Sequence, residues 1–140
     1  MTAIRRTHLS APARYLVERG LLVGHILDYG SGRGDLIPFS GLSDVSQYDP
    51  HWFPEKPEGR FETVYCGYVL NTLKREQWKE VLVDIFHYLK RKGHGYIAVR
   101  RDIKKEGLTS RGTLQYNVIL PYECPVETKD YAIYILHREW

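Results

Sequence analysis

His25-Ile26-Leu27-Asp28-Tyr29-Gly30-Ser31-Gly32-Arg33-Gly34-Asp35 is the stretch that decides the fold. An apolar run leads into an acid, then into three glycines at alternate positions. Glycine has no Cβ, so it takes φ > 0 and lets a backbone approach a ligand closely. A glycine-rich turn that follows a strand and opens a helix also aims free N–H groups at a polar or negative group. A second acid, Asp49, closes the next predicted strand. Acid, glycine loop and second acid together point to an adenosine-containing ligand lying over the edge of a parallel sheet.

The spacing narrows the ligand. In the dinucleotide fingerprint the third glycine stands where helix and strand must pack closely. Here Gly34 comes one position early, which disfavours a nicotinamide or flavin cofactor and favours S-adenosylmethionine. Asp28 would hold the methionine amino group, directly or through water. Asp49 would accept both ribose hydroxyls, as a carboxylate with two acceptor oxygens can. The plainer alternative, a tight turn with an ordinary turn aspartate, explains the glycines but not the second acid.

The 140 residues suit one domain, here 1–140, with an independent core. A hydrophobic share of 43% and a charged share of 26% are ordinary for a globular chain. The formal charge of +3 is mildly basic, so it permits nucleic acid as a partner without demanding it. The two cysteines, Cys66 and Cys124, have no metal-ligand spacing, so no metal is expected. They read as free thiols of a reducing, cytoplasmic setting. No apolar run approaches the ~18 residues of a membrane span, so no membrane partner is expected. The arginine-bearing, acid-free start faintly resembles a transit peptide, but Ser10-Ala11-Pro12 reads instead as a helix start.

Strands and helices alternate along the chain. A helix is expected over 11–19, strands over 26–29, 45–48 and 62–66, and a proline-bearing loop over 50–59. Pro38 should keep the helix after the glycine loop short or kinked. The clearest pattern is 75–92, where Trp78, Val81, Leu82, Ile85 and Leu89 share one helical face. Lys90, Arg91 and Lys92 would complement its C-terminal dipole and Gly93 would stop it. A strand at 96–99 follows, then two β-rich segments, 114–120 and 131–136, able to pair as an antiparallel hairpin. The expected fold is α/β: a Rossmann-like three-layer sandwich with a mostly parallel sheet and a C-terminal antiparallel β-hairpin.

Those elements in that order resemble a class I S-adenosylmethionine-dependent methyltransferase over nearly the whole chain. More narrowly, Arg6-Thr7, Leu9-Ser10-Ala11-Pro12, Asp28-Tyr29-Gly30-Ser31-Gly32-Arg33-Gly34-Asp35, Tyr48-Asp49-Pro50 and Gly67-Tyr68-Val69-Leu70-Asn71 are similar to the methyltransferases associated with DNA phosphorothioation. Those carry a "DYGCGRGDD" loop, a "WDP" acid and a "GYVLN" stretch; here Ser31, Leu36 and Tyr48 depart from the pattern. The resemblance implies that Gly30, Ser31, Gly32 and Gly34 line the methionine end of the cofactor. It implies that Asp49 holds the ribose and that Pro50 to Phe53 cover the adenine, with Trp52 or Phe53 as stacking face or as loop anchor. Cys66 and Gly67 would offer backbone carbonyls to the sulfonium. Tyr68 and Asn71 would border the substrate, as candidate catalytic residues, unless Asn71 caps the next helix.

Methyl transfer from a sulfonium is an in-line displacement with a good leaving group, so alignment supplies much of the catalysis. A base is needed only when a proton must leave the nucleophile early. No residue declares itself for that role, and His8, His51 and His94 read more simply as surface or core residues. The target-base loop of exocyclic-amine DNA methyltransferases and the Pro-Cys nucleophile of cytosine C5 enzymes are both absent. Arg5, Arg6, Lys74, Arg75, Arg100, Arg101, Lys104 and Lys105 are candidates for a phosphate-facing rim. The chain leaves little material for a substrate lid, so a small acceptor, a homodimer or a partner chain is expected to complete the site. The alternative to an enzyme is a cofactor-binding module of the same fold without independent turnover, acting in a complex.

Overall fold

The computed structural model describes residues 8–139. Helix α1, Ala11–Glu18, buries Pro12, Ala13 and Leu16. Strand β1, Ile26–Tyr29, is buried along its whole length, as a central parallel strand should be. Helix α2, Leu36–Ser40, is a single short turn around Pro38. Strand β2 is Val45–Tyr48 and strand β3 is Phe61–Gly67. A 3₁₀ turn at Leu70–Thr72 leads to helix α3, Arg75–Tyr88, and strand β4, Leu89–Arg100. Strands β5, Gly107–Leu108, and β6, Leu114–Gln115, form a small ribbon. Strands β7, Glu123–Glu127, and β8, Tyr131–His137, end the fold.

The main sheet has six strands in the order β2-β1-β3-β4-β8-β7. The first four run parallel, and β8 and β7 add antiparallel. Ile26, Tyr65, Tyr96 and Ala98 pack on one face with α1 and α2 residues Ala13, Leu16 and Leu36. Leu27, Tyr29, Val64, Cys66, Ile97 and Val99 pack on the other with Trp78, Ile85 and Tyr88 of α3. This is the expected three-layer α/β arrangement, with all four parallel strands delivering their carboxyl ends to one edge.

Two expectations fail. The helix over 75–92 ends at Tyr88, and Leu89 to Lys92 belong to β4. Distant arginines supply the stop. Arg60 donates to the His87 carbonyl at 2.5 Å, and Arg138 donates to the Phe86 and Leu89 carbonyls at 3.3 and 3.0 Å. Gly93 is not a helix stop but lies where β4 shifts register against β3. A Cβ there would meet the Lys90, Glu62 and Phe61 carbonyls at 2.8, 3.0 and 3.2 Å.

The second failure is the hairpin partner. β8 pairs with β7, not with 114–120. The turn between them is fixed by Thr128, whose Oγ1 accepts from the Asp130 and Tyr131 amides at 3.1 and 3.0 Å. Within 114–120, Val118 and Leu120 bury and Ile119 stays 81% exposed, an alternation that mimics a strand. Only Leu114 and Gln115 pair as a strand, with β5; beyond them Arg101 donates to the Val118 carbonyl at 2.6 Å and the Asn117 amide donates to Glu106 at 2.7 Å.

Candidate functional site

The cleft is built where β1 and β2 end. Gly30, Gly32 and Gly34 all take φ > 0, at 77°, 57° and 85°. The Gly30 and Ser31 amides donate to the Tyr48 carbonyl at 2.7 and 3.0 Å, which ties the loop to the end of β2. Space demands glycine as well as φ does. A Cβ on Gly30 would sit 2.2 Å from Val69 Cγ2, and one on Gly34 would sit 2.2 Å from Gln47 Oε1. Ser31 is half-buried, and its hydroxyl reaches the Gly32 carbonyl at 3.4 Å.

Asp49 is the knot of the site. Its Oδ2 accepts the Gly32 amide at 2.8 Å, and its Oδ1 accepts the His51 and Trp52 amides at 2.9 and 3.1 Å. A carboxylate offers about four lone-pair positions. With three engaged, the direction left open lies on Oδ2. Its larger task is to hold the two loops in register. Pro50 is exposed beside it. Trp52 is half-buried and its indole Nε1 is buried without a partner.

Asp28 points to the α1–α2 side of the sheet and is 4% exposed. Burial, then the charges of Asp49 and Asp35, push its carboxyl up to about 7. A carboxylate there needs a cation, because among the described residues no positive charge offsets those causes. The Tyr65 hydroxyl, facing the same region near Ser10, is buried without a well-formed hydrogen bond. An ammonium group together with a ribose and a purine fits this lining. In chemistry the donor set, a buried carboxyl beside a glycine loop and an amide-bound acid, is compatible with S-adenosylmethionine.

The β3 and β4 ends behave differently. Cys66 is fully buried among the α3-side core residues, and burial drives its thiol far above the usual range. Gly67 is required by Tyr65, whose hydroxyl would lie 2.5 Å from an added Cβ. Tyr68 holds φ at 63°, a strained value for a bulky residue, and its amide donates to the Ala98 carbonyl at 2.9 Å. Asn71 is neither helix cap nor free. Its Nδ2 donates to the Tyr116 carbonyl, its Oδ1 accepts the Arg100 amide and its carbonyl accepts the Tyr116 amide, each at 2.8 Å. Lys74 instead stands at the α3 N-terminus, its amide donating to Gln77 Oε1 at 3.0 Å.

Asn71 thereby ties the β5–β6 ribbon to the end of β3, so the chain has more cover at this edge than its length suggested. Of the expected cationic rim, Arg5 and Arg6 lie outside the described residues. Arg100 pairs with Asp102 at 2.9 Å and Arg101 with Glu127 at 2.8 Å, while Arg75 lies over the Trp78 ring. Lys104 and Lys105 are exposed. Sequence reasoning missed Gln47, Tyr65 and Val69. The polar Gln47 within strand β2, beside Asp28 of β1, was the one available signal. A groove of 640 Å³ lies behind the site, lined by Tyr29, Tyr48, Lys56 and Asp84 among others. Its carboxylate already accepts from Tyr29 and Lys56 at 2.6 and 2.8 Å, so it asks for no ligand charge.

Among the described residues no cluster suits a metal ion, and no helix is long and apolar enough to cross a membrane. No protein-family model matches the sequence, and no curated protein matches it. Solved structures do resemble the fold. The 1,6-didemethyltoxoflavin-N1-methyltransferase of Burkholderia thailandensis, solved with 1,6-didemethyltoxoflavin and S-adenosylhomocysteine, aligns at TM-score 0.68 and 16% identity, covering 91% of this chain and 77% of that one. The N-methyltransferase NodS of Bradyrhizobium japonicum WM9, solved with S-adenosylhomocysteine, aligns at 0.57 and 12% identity, covering 91% and 84%. The magnesium protoporphyrin IX methyltransferase of Synechocystis PCC 6803, solved with S-adenosylmethionine, aligns at 0.54 and 16%, covering 91% and 76%. The fold is thus the Rossmann-like one of class I methyltransferases.

Proposed function

We propose that the cleft at the carboxyl ends of β1 and β2 binds S-adenosylmethionine and that the protein transfers its methyl group to an acceptor. The observation that carries this is the pairing of Asp49 with Asp28. Asp49 locks the two loops through three backbone amides, and beside it stands a buried carboxyl with no cation among the described residues. The bound cofactor supplies an activated methyl on a sulfonium. This chain's residues would hold the amino group at Asp28, orient the ribose from Asp49 and fix the base at Trp52, so that the methyl faces Tyr68 and the ribbon. Pre-set loops of this kind reduce the cost of aligning the reacting atoms.

The acceptor is open. The mildly basic charge and the narrower resemblance to the methyltransferases associated with DNA phosphorothioation support nucleic acid. A second copy or a partner chain completing the acceptor side is part of the proposal. A reducing, cytoplasmic location is proposed from the unpaired Cys66 and Cys124. One observation favours the second reading, a cofactor-binding module without independent turnover: Asn71 is 2% exposed and its amide is committed on both ends to backbone groups, which ties it to the scaffold rather than to an acceptor.

The test is transfer of a tritiated methyl group from S-adenosylmethionine to DNA, RNA or cell extract, with Asp28→Asn as control. Label that moves with the wild type and not with the control supports the enzyme. Cofactor binding without transfer to any of the three supports the module.

A further inference from the structure

Arg33 stands in the middle of the glycine loop, and its guanidinium lies 4.5 Å from the centroid of the Trp52 ring. The indole is fixed from the other directions. Its backbone amide is bound to Asp49 at 3.1 Å, its Nε1 is buried, and His51 meets it edge-on at 4.9 Å. Arg33 is exposed and has no ion pair or hydrogen bond among the described residues. The aromatic ring is what holds it.

We propose that Arg33 sets cofactor affinity by covering the Trp52 face that the adenine would take, and that the purine displaces it on binding. This rests on the reading of the cleft as an S-adenosylmethionine site. A guanidinium favours the negative face of an indole, and so does the flat face of a purine, so the two compete for one surface. Displacement, rather than a sandwich of guanidinium, purine and indole, follows from the anchoring. A wall must be held by contacts other than the one the ligand removes, and Arg33 has none. Once displaced, the cation returns to water at little cost because the side chain is long and exposed.

The probes are S-adenosylhomocysteine and adenosine, titrated by calorimetry into wild type, Arg33→Ala and Arg33→Lys, with indole fluorescence followed in parallel. Arg33→Ala should tighten binding of both probes about two- to five-fold, the worth of an exposed cation–π contact of about 0.5–1 kcal/mol. Arg33→Lys should fall between, and the ligand-induced change in fluorescence should shrink in the alanine variant. Weaker binding by Arg33→Ala would mean that the guanidinium is a wall and would overturn the inference. An effect seen with S-adenosylhomocysteine but not with adenosine would place Arg33 at the methionine end and overturn it too. If no variant binds either probe at millimolar concentration, the cofactor reading itself fails and carries this inference down with it.

Discussion

Around Asp28 and Asp49 the buried polar atoms want partners, whereas around Asn71 and Arg101 they are saturated. Gln47 Oε1 and Trp52 Nε1 are buried and unpaired, the Tyr65 hydroxyl has at best a loose contact with Ser10, and Asp28 is held well above the usual carboxyl range. A few residues away, Asn71 makes three bonds of 2.8 Å, and Trp78 Nε1 donates to the Leu70 and Leu73 carbonyls at 3.0 and 3.1 Å. Arg101 donates to Val118, Tyr134 and Glu127 at 2.6, 2.7 and 2.8 Å. Each unpaired buried group costs about 1–3 kcal/mol. A chain that satisfies one end of its sheet edge so fully and tolerates such costs at the other separates scaffold from site. The Asn71 end builds the edge; the Asp28 end is the part the proposed cofactor would satisfy.

The hardest test of that division is Asn71→Ala. It strands the Arg100 amide and the Tyr116 carbonyl, and chemical denaturation should record a loss of about 3 kcal/mol. Cofactor affinity of the folded variant should stay within two-fold of wild type. A loss below about 0.5 kcal/mol would show that the amide is not scaffold.

Asp28 should give the next largest effect, with pH. Its carboxyl titrates near 7 in the folded chain and at 3.8 in the reference state, so the folded state holds the extra proton between those values. Stability therefore falls as pH rises through that window and is flat above it. Between pH 5 and pH 7 the wild type should lose about 2 kcal/mol relative to Asp28→Asn, read from denaturation curves at both pH values. Binding of a cationic amine runs the opposite way. Affinity for S-adenosylmethionine should fall up to about tenfold per pH unit below 7, and a flat profile would separate Asp28 from the ligand.

Gly30→Ala sharpens the comparison from the loop. It imposes a Cβ at φ 77° and 2.2 Å from Val69 Cγ2. A thermal melt should show a cost of about 1–2 kcal/mol, and the loop's donors should lose their aim. Retained wild-type affinity would show that the glycine is there for the turn alone.

Much of this was legible in the sequence, and the exceptions have causes. The bounds of β1 were readable because an apolar run ends at Asp28-Tyr29, and those of β2 because Val45 to Tyr48 lead into Asp49-Pro50. The end of α3 was not, because Leu89 continues the helical apolar face while the groups that stop the helix, Arg60 and Arg138, are remote in sequence. The 114–120 segment alternates like a strand, yet only Leu114 and Gln115 pair, with β5, and Asn117 and Val118 bond to the side chains of Glu106 and Arg101. The glycines and acids of the candidate site stood out by type and spacing. Asp49 as an amide-binding knot, Gly67 as room for Tyr65 and the Arg33–Trp52 contact depend on how loops approach, which no local pattern encodes.

The most direct measurement is calorimetric titration of S-adenosylmethionine and S-adenosylhomocysteine into wild type and Asp49→Ala. The account predicts micromolar binding by the wild type and its loss in the variant, since that change frees the Gly32, His51 and Trp52 amides together. Absence of binding by the wild type at millimolar ligand, or equal binding by both proteins, would contradict it.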